Sequence, residues 1–306
     1  MTRSKRGAGR LQKEVDMSTK ARTTWGRRMR GAAALAPAVW LAAGLWSGAA
    51  GAGSLLDPTP QDAMRPLSTD RPDVTESPYT VDAGHVQVEA DVVSFARKRY
   101  DAETHLDELR LAQFNVKVGL HDRIDLQFVI APYVKTARSD GTPVTAESVG
   151  SDDLTIRLKV NLAGNNSGPF SIGLLPFVAP PTASSIVSAR EPAWGIAVPA
   201  AFSLPNGVGL GSMVQFTAAE EDRLYLLTAS VNRAMAFGFA GFVEFAAERV
   251  LFGEDVFGRE NHWNTTLDAG LTLGVTPDLQ LDGAVLIGLT DEATDWTLYT
   301  GITVRR

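Results

Sequence analysis

The sequence predicts an all-β fold, a single antiparallel transmembrane β-barrel of about twelve strands with up-and-down topology. Three observations predict it. The chain opens with a basic segment followed by an apolar run that resembles an export signal. From Gly84 onward, apolar and polar residues alternate with the period of two that strands produce. Short and long connections tend to alternate between these segments.

Residues 1–52 are predicted to be a signal peptide. The run from Ala32 to Ala50 is apolar, and small residues at 50 and 52 form the pattern that signal peptidase accepts. Cleavage would then fall between Ala52 and Gly53. The basic flank before the apolar run consists of Arg27, Arg28 and Arg30. An N-terminal membrane anchor is the alternative interpretation.

Removing this segment makes the chain strongly acidic. Residues 1–52 hold ten of the 29 basic and two of the 35 acidic residues, which leaves 19 against 33, a net charge of about −14. This charge excludes a nucleic-acid partner, because a protein that binds phosphates needs the opposite sign. The chain contains no cysteine, so structural disulfides are also excluded.

The mature chain divides into two parts by composition. Residues 53–83 form a Pro-rich extension in which regular structure is not expected. Residues 84–306 form the barrel, and most of its segments are as long as a tilted strand needs to cross a bilayer. The predicted strands are 85–96, 107–119, 123–136, 152–162, 170–179, 193–204, 207–217, 223–233, 236–248, 261–275, 279–290 and 295–306.

The connections favour a membrane barrel over a soluble β-sandwich or barrel, which would show the same alternation. The predicted long connections are 97–106, 137–151, 180–192 and 249–260, while most even-numbered connections have two or three residues. Bacterial outer-membrane barrels have short periplasmic turns and longer external loops. An outer-membrane location with both termini in the periplasm is therefore expected.

Aromatic residues on the apolar face are predicted to mark the two membrane interfaces. One group falls near the outer rim and comprises Trp194, Phe216, Phe245, Trp263 and Trp296. A second group falls near the opposite rim and comprises Phe170, Phe202 and Phe237.

The polar face of the strands is predicted to line the lumen. Its candidate pore-lining residues are Gln87, Glu89, Asp91, Lys117, Asp125, Asp153, Arg157, Lys159, Glu244, Asp268 and Asp282. Two roles are open for them: they line a hydrated path and tune its selectivity, or they pair across a filled lumen. The Pro-rich extension either enters the lumen as a plug or stays in the periplasm.

No catalytic, metal or cofactor site is predicted. An outer-membrane hydrolase would need a nucleophile beside a base, and the four histidines are each expected to be ordinary rim or loop residues. His262, at the outer rim, is the one to test. Two acidic clusters lie at predicted rim positions, 152–153 and 220–222. Divalent cations could bridge them to lipopolysaccharide, or they are ordinary loop charges in contact with solvent.

Four motifs resemble those of a known family. Residues 69–81 read TDRPDVTESPYTV and are followed by Gly84 and Glu89; residues 119–126 read GLHDRIDL; residues 150–154 read GSDDL, with Lys159 beyond them; residues 274–282 read GVTPDLQLD, with Gly288 beyond them. They resemble a family of outer-membrane proteins named for the meta-cleavage pathway of phenol degradation, whose members are often labelled transporters. The resemblance implies a barrel channel for small solutes, including aromatic or hydrophobic compounds.

Two positions depart from the family pattern. Ala183 stands where the family has glycine, and the chain finishes on Val304-Arg305-Arg306 where barrels of this kind finish on an aromatic residue.

The function expected is passive passage of small solutes through the outer membrane, without a cofactor. The lipid bilayer and lipopolysaccharide are the expected partners. A non-conducting structural or adhesive barrel that acts through loops 137–151 and 249–260 is the alternative from a different class.

Overall fold

Fourteen β-strand segments follow one another in the computed structural model, which describes residues 53–141, 146–166, 168–183, 192–253 and 260–306. The segments are Val86–Arg99 (β1), Thr104–His121 (β2), Ile124–Ile130 (β3), Tyr133–Asp140 (β4), Ala146–Gly150 (β5), Thr155–Ala163 (β6), Phe170–Ala179 (β7), Ala193–Leu204 (β8), Val208–Ala219 (β9), Asp222–Ala234 (β10), Phe239–Leu251 (β11), His262–Thr276 (β12), Leu279–Gly288 (β13) and Trp296–Arg305 (β14).

These segments form one closed antiparallel barrel of twelve strands. β3 and β4 both pair with β2, so they are two halves of one strand, interrupted at Ala131-Pro132 where proline supplies no N–H. β5 and β6 pair with β4 and β3 in the same way. The fourteen segments therefore make twelve barrel strands. β1 pairs with both β2 and β14, which closes the sheet and confirms the predicted fold class.

The first two predicted long loops are shorter than expected. The loop predicted at 97–106 is shorter, because β1 continues to Arg99 and β2 begins at Thr104. The loop predicted at 137–151 is also shorter, because β4 continues to Asp140 and β5 covers Ala146–Gly150. Oppositely charged residues extend the first hairpin, since the Arg97 guanidinium lies 2.6 Å from the Asp107 carboxylate on the facing strand. Such cross-strand pairs stabilise a sheet without any alternation of apolar and polar residues. The strand ends were therefore not predicted from that alternation.

The outer surface of the barrel carries the aromatic residues. Trp194, Trp263 and Phe245 are each about half exposed, and the Trp194 ring packs 5.6 Å from that of Phe216. The Trp296 ring packs 5.4 Å from Phe95. At the short-turn end, the Phe170 and Phe202 rings are 4.8 Å apart, and Phe237 is 93% exposed.

The short turns follow local backbone rules. Asn206 and Gly207, between β8 and β9, both have positive φ, 65° and 70°. Asn-Gly adopts this conformation readily, and it suits the twist of a β-hairpin.

Among the described residues, no helix has the length and apolar character that crossing a membrane requires. The predicted signal peptide, with Ala52, lies outside the described residues, as do parts of the loops 137–151, 180–192 and 249–260.

We expect an arginine at a mid-strand outward position to destabilise the barrel. Val214 lies in the middle of β9 and is 58% exposed. Val214→Arg should cost about 2–4 kcal/mol of unfolding free energy, as a cation does at the bilayer midplane. Leu204→Arg, at the end of β8, should cost about 0–1 kcal/mol. Urea unfolding in lipid vesicles measures both, and equal costs would contradict the outward lipid face.

Candidate functional site: a segment in the barrel lumen

Residues 67–82, which we call the luminal segment, lie inside the barrel. The chain before the segment is held at the short-turn end, where the Gly53 N–H donates to Asp122 at 2.9 Å and Arg65 pairs with Asp82 at 2.6 Å. The segment returns beside Gly119, where an added Cβ would lie 2.0 Å from the Asp82 carbonyl oxygen. The segment therefore enters and leaves the lumen at the same end.

Asp70 binds the basic side of the lumen wall. Its carboxylate contacts the ammonium groups of Lys117 and Lys159, the latter at 2.6 Å, and its own N–H donates to Glu89 at 3.1 Å. All four side chains are almost fully buried. Burial alone would raise the pKa of Asp70, but the two ammonium groups hold it well below its usual range. Asp70 is therefore a carboxylate that bridges two buried ammonium groups, and Glu89 supplies a second negative partner to Lys117 at 2.5 Å.

Arg71 binds the acidic side of the wall. Its guanidinium contacts Asp91 and lies 2.7 Å from Asp282, and it stacks 5.6 Å from the centre of the Tyr299 ring. On the same wall, Gly301 leaves room for the guanidinium, because an added Cβ would lie 2.1 Å from an Arg71 nitrogen. Adjacent residues of the segment thus bind opposite charges on different strands of the wall.

Glu244 on β11 holds the returning part of the segment. Its carboxylate accepts hydrogen bonds from the N–H groups of Val74 at 2.6 Å and Thr75 at 2.9 Å, and from the Thr75 hydroxyl. The Thr75 hydroxyl also contacts that of Thr228 on β10. Burial, with the neighbouring Glu244 carboxylate adding to it, raises the pKa of Asp73 well above its usual range.

The last part of the segment is bound by β3 and β6. Glu76 pairs with Arg157, and the Asn161 amide donates to the Pro78 carbonyl at 2.9 Å. The Val81 N–H donates to Asp125 at 3.0 Å. The backbone groups of a proline-rich stretch are satisfied here by wall side chains instead of by secondary structure.

Charged groups of both signs therefore line the lumen wall. The basic groups Lys117, Arg157 and Lys159 lie on β2 and β6, with Asp125 on β3 between them and Glu89 on the adjacent β1. The other carboxyl groups lie on β1, β11, β12 and β13. Another stretch, on β7 to β10, is apolar and includes the buried residues Leu175, Ala197 and Met213.

Among the described residues, three cavities remain beside the segment; the third, of about 360 Å³, lies at the short-turn end beside Leu67, Val81 and Arg305, and the other two lie deeper. One, of about 300 Å³, is lined by residues of β1, β2, β3, β6, β13 and β14, including Asn115, Arg157 and Tyr299. The other, of about 290 Å³, lies against the small residues of β8 to β11, such as Ala201 and Gly211. Arg71 and Glu76 line both cavities, so the segment separates them.

Ten of the eleven candidate pore-lining residues lie together around the luminal segment. They are Gln87, Glu89, Asp91, Lys117, Asp125, Arg157, Lys159, Glu244, Asp268 and Asp282, and most are buried. Asp153 lies apart from them, in the break between β5 and β6, where it accepts a hydrogen bond from the Ala183 N–H at 2.6 Å. Whether these residues line a conducting pore stays a prediction.

The charged residues of the segment itself were not predicted from the sequence. Asp70, Arg71, Asp73 and Glu76 were not candidates, although they belong to the most distinctive of the four motifs. The signal available was the concentration of charged residues in a stretch that forms no strand.

The other sequence candidates have local contacts. His262 lies 3.1 Å from the Glu260 carbonyl oxygen, and His85 lies 2.7 Å from that of Thr59. Asp152 pairs with Arg110 at 2.8 Å. Within the described part of the chain, no group of three potential metal ligands is found.

We expect Asp70→Ala to lower the unfolding free energy by about 3–5 kcal/mol, because it leaves the buried ammonium group of Lys159 without its ion-pair partner and that of Lys117 with Glu89 alone. Asp107→Ala, which breaks a pair on the outer surface, should cost at most about 1 kcal/mol. Urea unfolding in micelles measures both. Equal costs would contradict the role given to Asp70.

One solved structure agrees with this fold. An outer membrane channel from Pseudomonas putida F1 has 13% identity to the chain and a TM-score of 0.60, over 78% of this chain and all of that one. The NanC porin has 10% identity and a TM-score of 0.44, over 72% of this chain and 98% of that one. No curated protein matches the chain at a significant level.

A comparison with family models gives a match over most of the chain. The family model described as "Putative MetA-pathway of phenol degradation" matches residues 69–305, a range that begins with the luminal segment and covers the barrel. The closed barrel and its apolar outer surface place the protein in the outer membrane. The chain belongs to the family that this description names.

Proposed function

We propose that the protein is a passive channel for small solutes, and that its conducting state requires the luminal segment to move. The observation that carries this proposal is the pair of cavities separated by residues 71–76 of the segment. Displacing that short stretch would join them into one path. Such a channel needs neither a cofactor nor energy coupling.

The contacts of the segment are of a kind that water can replace. They are ion pairs and hydrogen bonds to carboxylates, amides and hydroxyls of the wall. If apolar packing held the segment, its departure would expose apolar surface to water. The charged and polar groups that hold it here become hydrated instead. Because both ends of the segment lie at the short-turn end, it can withdraw without threading through the barrel.

The solutes are small molecules, and the family resemblance suggests that aromatic or hydrophobic compounds are among them. Phe114, Val129 and Leu286 give the first cavity an apolar part that suits such compounds. We also propose that the acidic rim residues contact lipopolysaccharide through bridging cations.

The filled lumen also favours the alternative, a non-conducting structural or adhesive barrel. In that case the luminal segment is a permanent core, and the loops 137–151 and 249–260 act at the surface. The two functions differ in whether the segment ever leaves its site.

A reversible cross-link separates them. The hydroxyls of Thr75 and Thr228 are in contact, and the chain has no other thiol, so Thr75→Cys with Thr228→Cys can form one disulfide between the segment and the wall. In planar bilayers we expect this variant to conduct little when oxidised. Reduction should restore the conductance of the unmodified protein.

The matched control is Thr75→Cys alone, whose conductance should not respond to reductant. Equal conductance of the oxidised and reduced double variant would contradict movement of the segment. No conductance from any form, with unchanged solute uptake in a deletion strain, would favour the structural barrel.

A further inference from the structure

We propose that the lumen selects small cations over anions, and that Asp268 with Glu244 sets this preference. The inference rests on the proposed channel function and specifies the charge class of its solutes.

The first support is the charge of the wall around the segment. The wall there carries six carboxyl groups and four basic groups, a surplus of two acidic groups. The carboxyl groups are Glu89, Asp91, Asp125, Glu244, Asp268 and Asp282, and the basic groups are Lys117, Arg157, Lys159 and Arg305. The surplus does not depend on the luminal segment, which itself brings four acidic residues and one arginine.

The second support is the location of the surplus. Lys117, Lys159 and Arg157 each have an acidic partner in the segment, and Arg71 is shared between two carboxylates. Glu244 and Asp268 have no basic partner among the ion pairs of the described residues. They face each other in register on β11 and β12, so the acidic groups without a basic partner lie on this part of the wall.

The third support is the state of Asp268. Its side chain is fully buried, and neither carboxyl oxygen has a hydrogen-bond partner among the described residues. The hydroxyl of Ser230, which pairs in register with Glu244 on the other side, is also buried without a partner. Unsatisfied buried acceptors beside a second carboxylate attract a cation once the lumen is hydrated.

The surrounding wall strengthens this effect. A narrow lumen with low-dielectric walls focuses the field of its charges and raises the local concentration of the opposite ion. The field is screened over about 10 Å at 0.1 M salt and about 3 Å at 1 M. Selectivity should therefore be strong in dilute salt and weaken in concentrated salt.

Reversal potentials of the mature protein in planar bilayers under a KCl gradient test the proposal. We expect K⁺ to be preferred over Cl⁻, and the preference to decline as the salt concentration rises. Asp268→Asn should lower the permeability ratio by roughly a third or more, because it removes one of the two surplus acidic groups of the wall. Asp107→Asn, on the outer surface beside Arg97, should leave the ratio unchanged.

The outcomes distinguish this proposal from the channel function. Conduction without cation preference overturns the selectivity proposal alone, whereas absence of conduction overturns the channel function. An unchanged ratio in an Asp268→Asn channel that conducts also overturns the role of Asp268. If that variant does not assemble, the reversal potential of the unmodified protein and its salt dependence still decide whether the lumen prefers cations.

Discussion

The placement of Asp70 and Arg71 among the charged groups of the wall determines the arrangement of the lumen. Asp70 pairs with Lys117 and Lys159, and Arg71 pairs with Asp91 and Asp282. Neighbouring residues of an extended chain point in opposite directions, so the two side chains reach different strands of the wall. Without them, Lys159 would lose its ion-pair partner, and the carboxylates of Asp91 and Asp282 would lie near each other without the arginine.

This arrangement differs from an apolar core in what it permits. Buried ion pairs contribute little net stability compared with apolar packing, but removing one partner is costly, so they favour one specific arrangement. The same pairs can be exchanged for water when the segment leaves. The lumen can therefore be well ordered while the luminal segment occupies it, and can hold water once the segment has left.

The sequence predicted the strands well because alternation is local. Glu244 and Phe245 show it directly: one lies in the lumen and the next on the lipid face. The luminal segment could not be predicted in the same way, since Asp70 and Lys159 are 89 residues apart and nothing local relates them. Prolines excluded regular structure in the segment but did not reveal its location. The pairing of Arg97 with Asp107 was missed for a similar reason, because a charged stretch resembles a loop until its partner strand is known.

Amide hydrogen exchange of the mature protein in lipid bilayers tests the account most directly. The N–H groups of Val74, Thr75 and Val81 donate to wall carboxylates inside the barrel, so they should exchange far more slowly than those of an unstructured peptide. Exchange of all three at the unstructured rate would contradict the seated luminal segment on which the account depends.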